Sequence, residues 1–501
     1  MTINLLLIFI VAVSRVIVPI YCLVTKREIT ATDPWWQINV AKATKALGNR
    51  IPRVLPRMKS QKVLGYPALY PWFLSYLPES MMMRVGLFTG TICDAILFVM
   101  VLYLSQRFKL YERIDIGQTR FLILAALVFI TTPFFNRTGI GKMVPRARPL
   151  GSLLGNISIA FAVMYVASWN SWHLFFAVIV FSLNTATSRF GVQGSIGLIV
   201  LIGVLFKQAL LVLFPFYAIP ISIVLTLGGN WGFLKGHYHH IVLYWKKLYK
   251  DMNLEKKHSV YFPKKITKAE FIQMVLSVQN NTLIQVFLGL PLIIPIFYYF
   301  HTCFAVGMYR MLMWLLAGVL IMMITSVGKL KIFGQAERYL DYCIIPYTLL
   351  SVFALNRLLV VNEVLGVLIL GYSVLMLIGL NIIRVLMYSK KKSYIGAYRE
   401  AFEWLEKNKG PSVVLSIPLG LSRFGYFYTN HEFPVAMTID EISPDEYNQI
   451  IKKYPMPADD LTYIYQKFDV QYVVGLKNKL DSYHPLGSKV YENDVVDVYS
   501  V

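Results

Sequence analysis

The residues with the most chemical potential lie between Thr32 and Glu79. Asp33 is the only carboxylate in that stretch before Glu79, and it follows the first long apolar segment closely. A carboxylate just outside a membrane span is placed to act as general base toward an acceptor hydroxyl. Asp33-Pro34 is also a good helix opening, with Asp as N-cap and Pro at the first helical position. The two roles are compatible, and both stand at this level. Trp35 and Trp36 follow at once, at a depth where they exclude water. Arg338 sits with Glu337 and Asp341 in FGQAERYLDYCIIP at the entrance to a later span, and Arg146 and Arg148 lie in PRARPLG at another. Guanidinium forks suit a phosphate, while interface anchoring and snorkelling explain the same arginines.

The segment from Tyr66 to Pro78 holds three prolines and five aromatics, so it is not an ordinary spanning helix. Irregular backbone at membrane depth is tolerated where it lines a cavity or is buried in protein; interfacial anchoring is the other reading. Tyr66, Tyr70, Trp35, Glu337 and Tyr339 are the residues expected to line a cavity. Asp94 lies in the middle of a span, where an acid is a functional candidate or a hydrogen-bonding partner for a neighbouring helix; Lys207 is a possible partner. His237, His239, His240 and His258 match no zinc-ligand spacing, and a basic amphipathic helix on the membrane face accounts for them better. No metal site is expected. There is no phosphate-cradling Gly loop and no Ser/His/Asp signature, so no cofactor is expected and nucleotide-driven chemistry is unsupported.

These residues must be held by a membrane scaffold. The 501-residue chain is 56% hydrophobic and 15% charged, with mean hydropathy +0.55, more apolar surface than a soluble protein can hide. Its net charge of +22 suits anionic headgroups or phosphate-bearing substrates, alongside ordinary topology-setting charge. The four cysteines lie in or beside apolar segments and suggest no disulfide framework. The first apolar run, Ile3 to Val24, reads as a retained signal anchor.

On a template of roughly 20 apolar residues per span, spans fall near 3–24, 83–106, 119–134, 149–168, 172–187, 193–206, 208–227, 282–300, 305–325, 341–358 and 363–383. The total is about eleven, and the stretch 193–227 also reads as one kinked span. The hydrophilic pieces then gather on one face, led by the loops 25–82 and 228–281, and the other face keeps short links. The transmembrane domain covers 1–390. The tail 391–501 alternates β-rich runs with helices, including an amphipathic helix over 396–408 and others near 444–453 and 458–467, and reads as a small soluble α/β domain.

Four patterns together resemble the GT-C superfamily of membrane glycosyltransferases. They are Asp33 soon after span one, followed by a helix, NRIP and GYPALYPW; Asp94 inside span two; QGSIGLIVLIGVLFKQALLVLFP; and ERYLDYCIIP. The resemblance touches residues 1–390 in organisation. Gln37 stands where the superfamily often has His, and the Trp-Trp-Asp motif of oligosaccharyltransferases is absent although DPWW echoes their first acidic motif. Metal dependence and a protein acceptor are therefore not carried over. The resemblance implies a many-helix GT-C-like membrane protein with its elaborated face and C-terminal domain outside the cytoplasm. Its basic loops then form a funnel for an anionic lipid carrier.

The function expected is transfer of a sugar from a polyprenyl-phosphate carrier to a glycan or lipid acceptor in cell-surface glycan synthesis. Asp33 is the base, and Arg338, Arg146 and Arg148 contact the donor phosphate. The location expected is the bacterial inner (plasma) membrane, active face outward, among membrane lipids and without nucleic acid. The alternatives are a glycan polymerase or ligase, and a non-catalytic flippase or transporter of lipid-linked glycans. Acidic residues spread through many spans would favour transport, and here they are scarce.

Overall fold

The computed structural model describes residues 2–25, 32–60, 64, 67–137, 146–226, 228–243, 282–327, 330, 333, 336–390, 395–435, 446–453, 456–483 and 487–501. The helices run α1 (Thr2–Val24), α2 (Thr32–Ala46), α3 (Leu69–Ser75), α4 (Glu79–Arg107), α5 (Leu110–Arg113), α6 (Gln118–Thr131), α7 (Pro133–Arg137) and α8 (Arg148–Ser168). They continue with α9 (Ser171–Thr185), α10 (Arg189–Leu205), α11 (Ala209–Val212), α12 (Phe214–Leu225), α13 (Gly229–Leu243), α14 (Thr282–Gly289), α15 (Ile293–Tyr298), α16 (Phe300–Ala305), α17 (Tyr309–Thr325), α18 (Ile344–Val361) and α19 (Glu363–Lys390). The tail holds α20 (Ile395–Lys409), β1 (Val414–Ile417), α21 (Ser422–Tyr428), α22 (Tyr447–Ile450), β2 (Ile451–Lys453), β3 (Met456–Pro457), α23 (Thr462–Phe468), β4 (Tyr472–Leu476), α24 (Lys477–Leu480), β5 (Ser488–Glu492) and β6 (Val496–Ser500). The contacts divide the chain into two units: 1–25 with 87–228 and 255–389, and 26–86 with 229–254 and 390–501.

The first unit is an apolar helix bundle. Four helical stretches among the described residues are long and apolar enough to cross a membrane: Glu79–Arg107, Arg148–Ser168, Ala336–Val361 and Glu363–Ile383. Six shorter apolar helices accompany them, among them Gln118–Thr131 and Tyr309–Thr325. The helices fall where the apolar runs of the sequence place them. The stretch 193–227 is broken rather than continuous: Lys207 takes a left-handed backbone conformation (φ 54°) between α10 and α11. The run 282–300 breaks at Pro291, and the freed backbone N–H of Leu292 donates to the Tyr347 hydroxyl at 3.2 Å. Such a side-chain acceptor is what an apolar interior demands of an interrupted helix.

Asp94 is not partnered by Lys207. Its carboxylate accepts from Arg15 Nε of α1 at 3.1 Å, with both side chains buried. Arg15 also donates through Nη2 to the Phe129 carbonyl at 3.1 Å and through Nη1 to the Ile130 carbonyl at 3.4 Å. One guanidinium thereby ties α1, α4 and α6 together. Arg15 had registered in the sequence only as an interruption of the first apolar run.

The second unit centres on a four-stranded sheet of order β1-β4-β6-β5, with β1 parallel to β4 and the other pairs antiparallel. Helix α20 buries Ile395, Tyr398, Ala401, Phe402 and Leu405, the one-faced spacing of an amphipathic helix. Residues 446–453 depart from the helix expected near 444–453: a single turn, α22, passes directly into β2, which pairs with β3. Ile450 and Ile451 are consecutive and both buried, a pattern that an extended chain joining the tail's core meets as readily as a helix. The strand expected at 434–439 lies largely outside the described residues.

The unit also takes in chain from the first outer loop. Lys59 and Ser60 donate backbone hydrogen bonds to the Phe433 and Pro434 carbonyls at 2.9 and 3.0 Å, and Phe433 N–H donates back to the Arg57 carbonyl at 2.8 Å. Arg57 donates to the Thr429 carbonyl and, at 2.8 Å, to that of Tyr426.

Beside this seam His431 is fully buried, and its Nδ1 accepts from the Ser412 backbone N–H at 3.2 Å. Burial disfavours the charged imidazole and holds His431 below its ordinary value. The unfolded chain therefore protonates first as pH falls. The stabilisation is complete above about pH 6.5 and declines as pH drops below it. Thermal unfolding in detergent, followed from about pH 7.5 to about pH 5, should show this decline, and His431→Gln should flatten it. Equal slopes in the two proteins would remove His431 as the cause.

Candidate functional site

In the first unit, the expected phosphate-binding residues gather at the entrance of α18. The chain from Ala336 to Cys343 forms a 3-10 segment before α18 begins. Tyr342 anchors it. A Cβ added to Gly155 of α8 would stand 2.4 Å from one edge of the Tyr342 ring, and one added to Gly194 of α10 would stand 2.3 Å from the other. The ring is thus held between two helices at positions where any side chain larger than hydrogen collides. The backbone of the segment is pinned from three further sides. Trp314 Nε1 donates to the Tyr342 carbonyl at 2.9 Å, and Asn156 Nδ2 to the Asp341 carbonyl at 2.9 Å. Ser152 Oγ reaches the same Asp341 oxygen at 3.4 Å.

On this pinned segment Asp341 accepts from Arg148 Nη2 at 2.8 Å, linking it to the first residue of α8. The Arg338 guanidinium lies 5.7 Å from the Phe190 ring centre, and Tyr339 packs its ring 5.1 Å from the same phenyl. Arg146 is half-buried two residues before Arg148. Glu337 and Tyr339 are buried. The arrangement is an arginine corner, with Arg148 opposite a carboxylate and Arg338 beside a phenyl ring.

In the second unit, Asp33 lies in the first turn of α2, which begins at Thr32, two residues earlier than the Asp-Pro cap reading implies. Helix α2 is buried from Pro34 to Ala41 on every side, the mark of an interior helix. Trp35 meets Phe424, Phe427 and Tyr428 of α21 with ring centres 5.1, 4.9 and 5.5 Å away. Asn39 donates to the Arg423 carbonyl at 2.8 Å, and the Arg423 guanidinium lies 5.6 Å from the Trp36 ring centre. Lys42 pairs with Glu79 at 3.1 Å and donates to the Phe427 carbonyl at 3.2 Å. The C-terminal fold therefore sets the position of the helix that carries Asp33. Sequence reasoning did not find that role for α21; its only signal was the aromatic run RFGYFY, which reads equally as local core.

The Pro- and aromatic-rich segment forms the short helix α3 beside α2. Trp72 Nε1 donates to the Asn49 carbonyl at 3.1 Å, and Ser75 Oγ to Asn49 Oδ1 at 2.9 Å. Asn49 takes a positive φ of 63° to present both oxygens, a conformation Asn tolerates better than most residues. Tyr70 is buried on this helix. Tyr66 lies outside the described residues.

The Tyr342 socket generates a stability test. Gly194→Ala should destabilise the protein by about 1–3 kcal/mol, the usual cost of overpacking. Replacing Tyr342 with Leu in that background should recover part of the loss, because the contacting ring edge is gone. Thermal unfolding of both variants in detergent gives the answer; additive losses would show that Gly194 and Tyr342 do not meet.

The fold has known counterparts. It is similar to solved structures of the oligosaccharyltransferase of Archaeoglobus fulgidus. A complex with zinc and sulfate aligns over 94% of this chain and 68% of that one, with TM-score 0.54 and 13% identity. A form tethered through a disulfide bond to an acceptor peptide containing the NVT sequon aligns over 99% and 74%, with TM-score 0.55 and 12% identity. No protein-family model and no curated protein matches the sequence. At these identities the likeness is one of fold alone.

Proposed function

We propose that this protein is a membrane glycosyltransferase that moves a sugar from a polyprenyl-phosphate carrier to a glycan or lipid acceptor in cell-surface glycan synthesis. The observation that carries the reading is the likeness of fold along nearly the whole chain to an enzyme that transfers a glycan to an acceptor peptide. Asp33, on a helix fixed by its burial and by α21, supports the same reading. The site faces outward from a bacterial inner membrane, and the bundle has about eleven spans, at roughly 20 residues each.

In the reaction, Asp33 takes the proton of an acceptor hydroxyl. The oxygen attacks the anomeric carbon, and the carrier phosphate leaves from the opposite side with inversion. Arg338 and Arg146 stabilise the charge that develops on the leaving phosphate, an interaction stronger in the transition state than before it. Arg148, paired with Asp341, orients the corner while adding its field. The further residues we assign to the reaction are Trp35, Tyr66, Tyr70, Glu337 and Tyr339. One structural neighbour holds zinc. Among the described residues here there is no group of three His, Cys, Asp or Glu side chains that could hold a metal ion.

Asp33→Asn separates the base from the helix cap. Asn caps nearly as well as Asp, but it cannot accept the proton, so transfer should fall about 10²–10⁴-fold in a protein of unchanged thermal stability. The assay is sugar transfer from a polyprenyl-linked donor in detergent. Full activity in a stable Asp33→Asn protein would eliminate Asp33 as base, and no transfer by the unaltered protein would favour a non-catalytic flippase or transporter.

Arg338→Ala should weaken donor use by on the order of 1.5–3 kcal/mol, the worth of one charge-assisted contact. Arg338→Lys should restore part of it, since charge is kept and the fork is lost. Unchanged donor dependence in both would reduce Arg338 to an anchor.

A further inference from the structure

We infer that the end of the bundle remote from the arginine corner carries a second phosphate site, which holds the headgroup of an anionic lipid. The inference is independent of the proposed catalytic reading. A concavity of about 220 Å³ opens there, lined by Arg107, Lys109, Arg113, Ser168, His173 and Arg310. That is well beyond the space one water or a bare ion needs. The lining comes from three separate stretches: Arg107, Lys109 and Arg113 from the α4–α5 corner, Ser168 and His173 from the α8–α9 turn, and Arg310 from the start of α17. Helix α8 separates this end from Arg148 by its whole length, 21 residues or roughly 30 Å at 1.5 Å per residue.

Charges that only set topology have no need to converge, and these do. Arg107, Arg113 and Arg310 contact no carboxylate among the described residues. Lys109 alone pairs with an acid, Glu112, at 3.7 Å. The Arg113 guanidinium is held against the chain. Its Nε donates to the Phe108 carbonyl at 2.8 Å, and a Cβ on Gly307 would collide with its Nη1. Arg310 stacks 4.6 Å from the Tyr309 ring centre, and its Nε is buried without a hydrogen-bond partner. A buried N–H donor left unpaired is costly, and an oxyanion in the concavity would satisfy it. Ser168 Oγ, which donates to the Met164 carbonyl at 2.9 Å, lies 2.9 Å from His173 Nδ1 at the same rim. Four cations sharing one small volume repel each other until an anion enters, and a phosphodiester meets that need.

The surroundings point to lipid as the bearer of that phosphate. Trp169 and Trp172, on the turn between α8 and α9, are each 65% exposed, and Phe175 and Phe176 continue the exposed aromatic surface. Exposed tryptophans at helix ends mark the headgroup level of a bilayer. Phe108 and Met164 line the concavity itself, an apolar wall suited to glycerol and upper acyl carbons. Basic recesses between helices at a membrane face are known to take acidic lipid headgroups.

The test uses the full chain in nanodiscs of phosphatidylcholine with or without phosphatidylglycerol, with retained lipid counted by native mass spectrometry. Phosphatidylglycerol should be retained in preference to phosphatidylcholine. Arg310→Gln and Arg107→Gln should each weaken that retention about tenfold, the worth of one charge-assisted contact. Arg107 is exposed and makes no contact that folding needs, so its variant guards against misfolding. Arg357→Gln, at the same end of the bundle but outside the concavity, should change nothing. A second arm titrates inorganic phosphate into delipidated protein and reads thermal stability. A saturable shift lost in Arg310→Gln, without lipid preference, would keep the phosphate site and overturn the lipid assignment. Equal retention of both lipids with no phosphate effect, or equal losses in Arg357→Gln, would overturn the site altogether.

Discussion

An apolar bundle offers no water to a charge or a free backbone group, and that constraint organises this structure. The cost of burying Arg15 is met by a carboxylate from α4 and two carbonyls from α6. Removing one partner of such a pair would leave a buried charge uncompensated, a loss of about 3–5 kcal/mol. The same demand explains why the interrupted run at Pro291 is answered by Tyr347. It also explains why the 3-10 segment at 336–343 is caught by Trp314 and Asn156. In both places a departure from regular helix is matched by side chains aimed at backbone groups.

The second unit solves a different problem. Helix α2 carries more polar residues than the spans, with Gln37, Asn39 and Thr44 all buried. Thr44 Oγ1 donates back to the Val40 carbonyl at 2.8 Å, and Asn39 reaches Arg423. Aromatic packing on Trp35 supplies the apolar share. The groups along α2 are thereby fixed by packing and hydrogen bonds rather than by solvent. The tail domain has its own sheet and core, and it also supplies the surface on which this helix rests.

The fold likeness to oligosaccharyltransferases sits beside very low identity. A bundle of this kind is specified by where apolar runs begin and end and by close-contact positions such as Gly155 and Gly194, and most lipid-facing side chains are interchangeable. The chemistry resides in few residues, so it has to be argued from those residues and not from the scaffold.

The sequence by itself determined the membrane class, the location of nearly every helix, the amphipathic face of α20 and the alternation of β-rich runs with helices in the tail. Each of these depends on composition and on periodicity over a short window. It also singled out Asp33, Asp94 and the arginines, since charged residues beside or within apolar runs stand out by type alone. Pairings were decided only by tertiary structure. Asp94 had a plausible mate in Lys207 and takes Arg15. Arg148 had read as a free phosphate ligand and lies against Asp341. Tyr342 needs two glycines about 40 residues apart in sequence. The basic recess required three links, distant along the chain, to converge. Residues 446–453 went the other way: a local helical pattern gave way to strand because pairing with β3 and burial of two adjacent isoleucines outweighed it. In each case the deciding energy comes from contacts between residues remote in sequence, which short-range periodicity does not encode.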